Sequence, residues 1–138
     1  MIEPLYSRDV LRLAASIPGL RSFAEMGDSA VLRSATCGSR VVMRITLDEA
    51  GRVVSLEQAV EACAFGQAAA ALVGAGAIGM TGAEGAAALA GVERWLDEDV
   101  AEPWFGVGVL DPARARRGRH GAILLPFRAL VGAIEAAR

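Results

Sequence analysis

Lysine and asparagine are missing from this chain, and all 14 of its basic residues are arginine. Together with abundant alanine and glycine, this reads as codon bias from a GC-rich genome, so the arginine count carries no function by itself. Without lysine there is no G-x-x-x-x-G-K-[ST] motif, and the glycine-rich tract at 74–85 is not a phosphate loop. The single histidine, His120, supports no Ser/His/Asp arrangement. The two cysteines, Cys37 and Cys63, form no C-x-x-C motif, the usual mark of a dithiol redox enzyme. Aromatic residues make up only 5% of the chain. The core must therefore be built from Ala, Val, Leu and Ile, with Trp95, Trp104 and Phe105 as core or loop anchors.

Long apolar runs are also lacking. No stretch reaches the roughly 18 uninterrupted residues of a membrane span. The nearest, 68–90, is broken by Glu84 and by Gly74, Gly76, Gly79, Gly82 and Gly85. The opening Met1-Ile2-Glu3-Pro4 has no basic segment followed by an apolar one, so no secretory leader is expected. Free thiols in a reducing, cytoplasmic setting are expected in preference to a disulfide. A net charge of −2 and a pI near 5.4 argue against general nucleic-acid binding.

At 138 residues, 54% of them apolar, the expectation is one domain covering 1–138. Leu5, Val10, Leu11, Leu13 and Ala14 recur at near-helical spacing, predicting a helix over 4–16 that Ile17-Pro18-Gly19 stops. Strand signals follow at 29–37, 40–48 and 52–62. Met43, Ile45 and Leu47 alternate with Arg44, Thr46 and Asp48, and Glu49-Ala50-Gly51 reads as a hairpin turn. Beyond Cys63 the period changes. Helices are predicted at 67–73, 81–89 and 91–96, with a break at Gly74-Ala75-Gly76 and a loop around 103–106. The last helix, 122–137, carries the stripe Ile123, Phe127, Leu130, Val131 and Ile134. The fold class is α+β: an N-terminal helix, a three-stranded antiparallel meander, then several helices packed on one face.

The soft metal ligands fall at three junctions. Cys37 ends a strand-like run, Cys63 lies where a strand gives way to an alanine-rich helix, and His120 closes an arginine-rich stretch before the last helix. If the fold joins them, they form one thiolate/imidazole site suited to zinc or an iron–sulfur cluster. Three ligands fall short of four, so Ser39, Asp28, an added thiol or a partner residue would have to complete the set. Arg114, Arg116, Arg117 and Arg119 form either a docking patch for an acidic partner or a solvated loop.

These residues carry a resemblance. Leu5-Tyr6-Ser7-Arg8-Asp9-Val10-Leu11 is similar to the Leu-Tyr-x-x-x-Val-Leu opening of the U-type iron–sulfur cluster assembly scaffolds, the IscU/SufU/NifU N-terminal family. Cys37-Gly38 matches that family's first cysteine-glycine. The hairpin at 40–62, with Asp48-Glu49-Ala50-Gly51-Arg52, resembles its second and third strands. Ala62-Cys63-Ala64-Phe65-Gly66-Gln67-Ala68 resembles Gly-Cys-Ala-Ile-Ser-x-Ala around its second cysteine. The likeness spans nearly the whole chain, with two departures. Ser39 stands where the family usually has aspartate. No thiol stands at its third cysteine, which falls at Gly121 by the histidine match or at Ala122 by the Arg-x-x spacing.

The resemblance implies a cytoplasmic scaffold that is not an enzyme. Cys37, Cys63 and His120 would bind iron or a cluster, [2Fe-2S] by expectation, or zinc. Sulfur would come from a cysteine desulfurase and the cluster would pass to accepting proteins. No nucleic acid or membrane is a partner, and a homodimer is compatible. The alternative is a degenerate paralogue that binds zinc or the assembly machinery as a regulator without building clusters.

Overall fold

Alternation of apolar residues lays down the sheet. In β2 (Arg40–Leu47), Val41, Met43 and Ile45 point to one face and are buried there, while Val42 points to the other. The computed structural model describes residues 6–34 and 38–138. β2 is the central strand, with β1 (Val31–Arg33) and β3 (Val53–Glu61) antiparallel on either side in the order β1-β2-β3. Its pairing with β3 runs from Arg40↔Glu61 to Leu47↔Val53, with an irregularity between Thr46 and Leu47. The predicted hairpin turn is present. Asp48 Oδ1 accepts from the backbone N–H groups of Ala50 and Arg52 at 3.0 and 2.9 Å, and Gly51 takes φ 77°.

Two helices cover the Val41/Met43/Ile45 face: α3 (Ala64–Gly76) and α5 (His120–Ala137). The short α1 (Arg8–Ala14) lies against α3, and α4 (Gly82–Asp97) lies against α5. A fifth helix, α2 (Phe23–Met26), is too short to read from periodicity. It covers the opposite face, where Met26, Val42 and Ala59 form a small second core with Phe23. Gln58 ties the layers together from within β3. It is fully buried, and its Nε2 donates to Pro18 O at 3.1 Å and to Ala70 O at 3.0 Å.

Several boundaries move for local reasons. The first helix begins at Arg8, because Ser7 is extended and its side chain caps Val10 N–H at 3.1 Å. The earlier part of the expected helix, at Pro4 and Leu5, lies outside the described residues. Of the expected 29–37 strand, β1 takes Val31–Arg33, and positions 35–37 lie outside the described residues. Gly74-Ala75-Gly76 does not break α3, because those glycines are packing positions. A Cβ on Gly74 would sit 2.9 Å from Gln58 Nε2, and one on Gly76 would sit 2.7 Å from the Trp104 ring. Likewise the expected helices at 81–89 and 91–96 are the single helix α4, in which Gly91 admits the Pro103 ring. The loop after Pro103 continues into a 3-10 turn, Val107–Ala113. α5 begins at His120, two residues early, which places Pro126 in its second turn. Pro126 has no N–H to offer the carbonyl of Ala122, four residues back. By length and composition the segment Arg117–Ala137 could cross a membrane, but half of it is buried here as a core helix.

Substitutions at two helical glycines should move stability in opposite directions. At Gly132 in α5, nothing lies within 4 Å of the place a Cβ would take, so Gly132→Ala should stabilise by about 0.5–1 kcal/mol. Gly76→Ala meets a ring that Phe127 backs edge-on at 5.2 Å and should cost about 1–3 kcal/mol. Urea unfolding midpoints measure both, and shifts of the same sign would show that packing does not separate the two positions.

A pH dependence follows from the helix caps. Thr81/Glu84 on α4 and Ser22/Glu25 on α2 are complete capping boxes. Backbone N–H donation from Thr81 and Ser22 respectively holds the Glu84 and Glu25 carboxyls below the ordinary range. A lowered folded-state pKa stabilises the protein above the unfolded value, roughly 4.3, and that contribution is lost as pH falls through the folded value. The thermal midpoint should therefore drop on acidification below about pH 4.5. The drop should be shallower in the Glu25→Gln/Glu84→Gln variant, and an unchanged slope would count against it.

Candidate thiol site

Cys63 follows closely on the end of β3 and is the N-cap of α3, with extended φ −65° and ψ 171°. It is a free, half-buried thiol. No side chain caps α3, whose first turn therefore directs unpaired backbone N–H groups and the positive end of the helix dipole toward this junction. Around it the packing is close. Phe65 is fully buried and meets Tyr6 edge-on, ring centroids 4.9 Å apart. Gly66 lies against the first turn of α5: a Cβ there would sit 2.7 Å from Ala62 Cβ, 3.1 Å from Ala122 O and 3.3 Å from Ala122 Cβ. The starts of α3 and α5 are thus brought together. The carbonyl that Pro126 leaves without its helical donor faces Gly66 at this contact.

The start of β2 belongs to the same end of the sheet. Arg40 pairs in register with Glu61, two residues before Cys63. Its Nε and Nη2 donate to the two Glu61 carboxylate oxygens, each at 3.2 Å, and its guanidinium stacks over Phe23 at 3.8 Å. The Arg40 hydrogen bond and charge hold the Glu61 carboxyl below the ordinary range. Ser34 and Ser39 close the connection from β1, with Ser34 N–H donating to Ser39 O at 2.8 Å, and Ser39 is buried. Cys37, inside that connection, lies outside the described residues.

His120 is the first residue of α5, and both of its ring nitrogens face protein groups. Nε2 is 2.9 Å from Arg114 O, so it carries the proton, because a carbonyl can only accept. Nδ1 is left as the lone-pair nitrogen in the neutral ring and lies 3.9 Å from Asp97 Oδ1. A carbonyl-bonded Nε2–H is also the second hydrogen bond of a histidine that binds metals through Nδ1, the nitrogen that faces Asp97 here. Arg114 is committed: it donates to Trp95 O at 2.8 Å, Glu98 O at 2.6 Å and Asp111 Oδ1 at 3.0 Å, closing the C-terminal end of α4. Arg116 and Arg117 are exposed and have no ion-pair partner among the described residues. Asp28 lies in the exposed turn after α2, the helix on the other face of the sheet. Among the described residues no three His, Cys, Asp or Glu side chains gather as a metal cluster.

The three-stranded sheet with α3 and α5 on one face is a fold also seen in NifU-like N-terminal and SufU-type scaffold proteins. The chain matches such structures over nearly its full length. A NifU-like protein (N-terminal) from Brucella abortus superposes with a TM-score of 0.82 at 27% identity, covering 96% of this chain and 94% of that one. A protein described as an iron–sulfur cluster assembly scaffold for the SUF system, from Fervidobacterium islandicum AW-1, gives 0.73 at 19% identity, covering 94% and 96%. A hypothetical protein of solved structure gives 0.70 at 18% identity, covering 92% and 94%. No family model matches the sequence, and no curated protein does. By structural similarity the chain shares the fold of the NifU-like N-terminal and SufU-type scaffold structures.

The contact between Gly66 and Ala122 was not readable from periodicity, although a glycine one turn after Cys63 was its signal. Gly66→Ala should lower stability by about 1–3 kcal/mol, more than the roughly 1 kcal/mol that helix propensity returns. It should also change the rate at which Cys63 reacts with a thiol reagent in a Cys37→Ser background. A more stable variant with an unchanged rate would show that the two helix starts do not constrain each other.

Proposed function

We propose that this protein is an iron–sulfur cluster assembly scaffold or scaffold-like protein without turnover of its own. The observation that carries the reading is the junction of Cys63 with the first turns of α3 and α5, within a fold shared with such scaffolds over nearly the full chain. Cys63 and Cys37 are the proposed thiolate ligands and His120 the third, through Nδ1. The cargo is iron, a [2Fe-2S] cluster or zinc. Thiolate and imidazole donors suit each of these. The partners are a cysteine desulfurase and cluster-accepting proteins, and the setting is the cytoplasm.

Sulfur loading follows thiol exchange chemistry. The Cys63 or Cys37 thiolate attacks the outer sulfur of a persulfide carried by the desulfurase. That S–S bond breaks, the desulfurase thiolate leaves, and the scaffold cysteine keeps the sulfur as its own persulfide. A ligand set short of four binds cargo loosely, which suits a protein that gives it away. The regulator reading draws on one observation: a methyl group, Ala122 Cβ, occupies the α3–α5 contact. By the Arg-x-x spacing, that residue stands where the resembled scaffolds have a cysteine.

Anaerobic reconstitution with iron, sulfide and a cysteine desulfurase tests the proposal. Wild type should develop a charge-transfer spectrum. Cys63→Ser should lose at least about tenfold in iron retained after desalting while still unfolding cooperatively, because Cys63 only borders an apolar core that is ample without it. Ala122→Cys should retain more cargo than wild type, and His120→Ala less. A colourless protein with stoichiometric zinc selects the regulator. No retention by any variant sinks both readings.

A further inference from the structure

The stretch that leads into α5 carries Arg114, Arg116, Arg117 and Arg119 on a backbone that is held throughout. Arg114 is anchored at the end of α4, its guanidinium 4.6 Å from the centre of the Trp95 ring. Arg116 N–H donates to Ala113 O and Arg119 N–H to Arg116 O, each at 2.9 Å. Arg117–Arg119 is a 3-10 turn, and the His120 ring closes it by donating to Arg114 O at 2.9 Å. On this frame Arg116 and Arg117 are exposed and Arg119 is half-buried.

Elsewhere the chain neutralises arginines within itself, as in Arg40 with Glu61, Arg52 with Glu84 and Arg94 with Glu98. Arg116, Arg117 and Arg119 pair with no carboxylate among the described residues. The carboxylates that touch the stretch face other groups, Asp111 facing Arg114 at 3.0 Å and Asp97 facing His120 at 3.9 Å. Codon bias accounts for arginine in place of lysine. It does not account for three unpaired cations within four residues of a chain whose net charge is −2.

We propose that 116–119 is a docking surface for an acidic segment of a partner protein. Each guanidinium presents a planar fork that takes a carboxylate through two hydrogen bonds. The backbone is already fixed, so docking has only side chains to order. Asp97, Glu98 and Asp99 are exposed at the end of α4, beside Arg114, and repel the same partner. Its approach is thereby limited to the arginine side. Ion pairs at this exposure are weak singly, so the contact steers and orients, and it is sensitive to salt. α5 begins where the stretch ends and meets the first turn of α3 through Ala122 and Gly66. A partner held here is therefore held at the Cys63 end of the molecule. The docking goes beyond the scaffold reading and does not rest on it, since no thiol and no metal takes part.

Fluorescence anisotropy of a labelled decaglutamate peptide, titrated with the full-length protein in chelator, tests this free of any cargo. Wild type should bind the peptide despite its own negative charge, and at least about tenfold more tightly at low than at physiological ionic strength. Arg116→Glu/Arg117→Glu should bind at least about tenfold more weakly than wild type. Arg33→Glu/Arg128→Glu makes the same change in net charge at exposed positions elsewhere and should stay within about twofold of wild type. Three results overturn the proposal: no binding of decaglutamate by wild type at low salt, equal losses in the two variants, or tighter binding of a ten-nucleotide oligothymidylate than of the peptide.

Discussion

Wherever α3 meets a neighbour closely it presents the smallest side chain available: Gly66 to Ala122 of α5, Gly74 to Gln58 and Pro18, Gly76 to the ring of Trp104. A helix so poor in side chains gains little from its own burial per residue. Each glycine also costs about 0.5–1 kcal/mol of helix propensity. What it makes possible is approach. Backbones come near enough for larger neighbours to pack across it, and Val10, Trp104, Ile123 and Phe127, which do much of the burying, are set around and beside it. The sheet face, α1, α5 and the 103–113 segment all take their positions from this one thin helix. The amide of Gln58 adds direction to that packing, because its Nε2 satisfies carbonyls from α3 and from the chain after α1 together.

The ends of α3 accordingly differ in character. At its N-terminal end the chain gathers polar and reactive groups: Cys63, the Arg40–Glu61 pair and the first turn of α5. At its C-terminal end it gathers apolar ones, with Phe105 outermost. A third assembly, at the far end of α4, links Asp97, Arg114 and His120, and so fixes where α5 begins. His120 therefore has a place in the architecture whatever it binds. Its Nε2 is bonded inward to Arg114, and Nδ1 faces Asp97.

Much of this was legible in the sequence because it rests on period. The alternation of Val41, Met43 and Ile45, the turn at Asp48–Gly51 and the stripe along α5 each follow from one rule applied locally. The junction at Cys63 was legible as a change of period. Illegible were the features that depend on partners distant in sequence. Gly74, Gly76 and Gly91 look like helix breakers until Gln58, Trp104 and Pro103 are known to lie against them. α2 is shorter than any period can reveal, and what it does is cover Val42 and Ala59 on the second face of the sheet. The position of His120 against Arg114 and Asp97 follows from how two helix ends meet, which no spacing encodes. Cys37, matched by resemblance through its Cys-Gly pair, lies outside the described residues.

The contact at Ala62, Gly66 and Ala122 has a consequence for how such a protein changes over generations. All three residues are already at or next to the minimum size, so nearly every replacement there is an enlargement. Drift at this spot has a direction: it can wedge the two helix starts apart, but it cannot draw them closer. A lineage that keeps the contact must keep purging larger residues. One that loses it has no small compensating step nearby, because the space is bounded by backbone and methyl groups that have nowhere to turn.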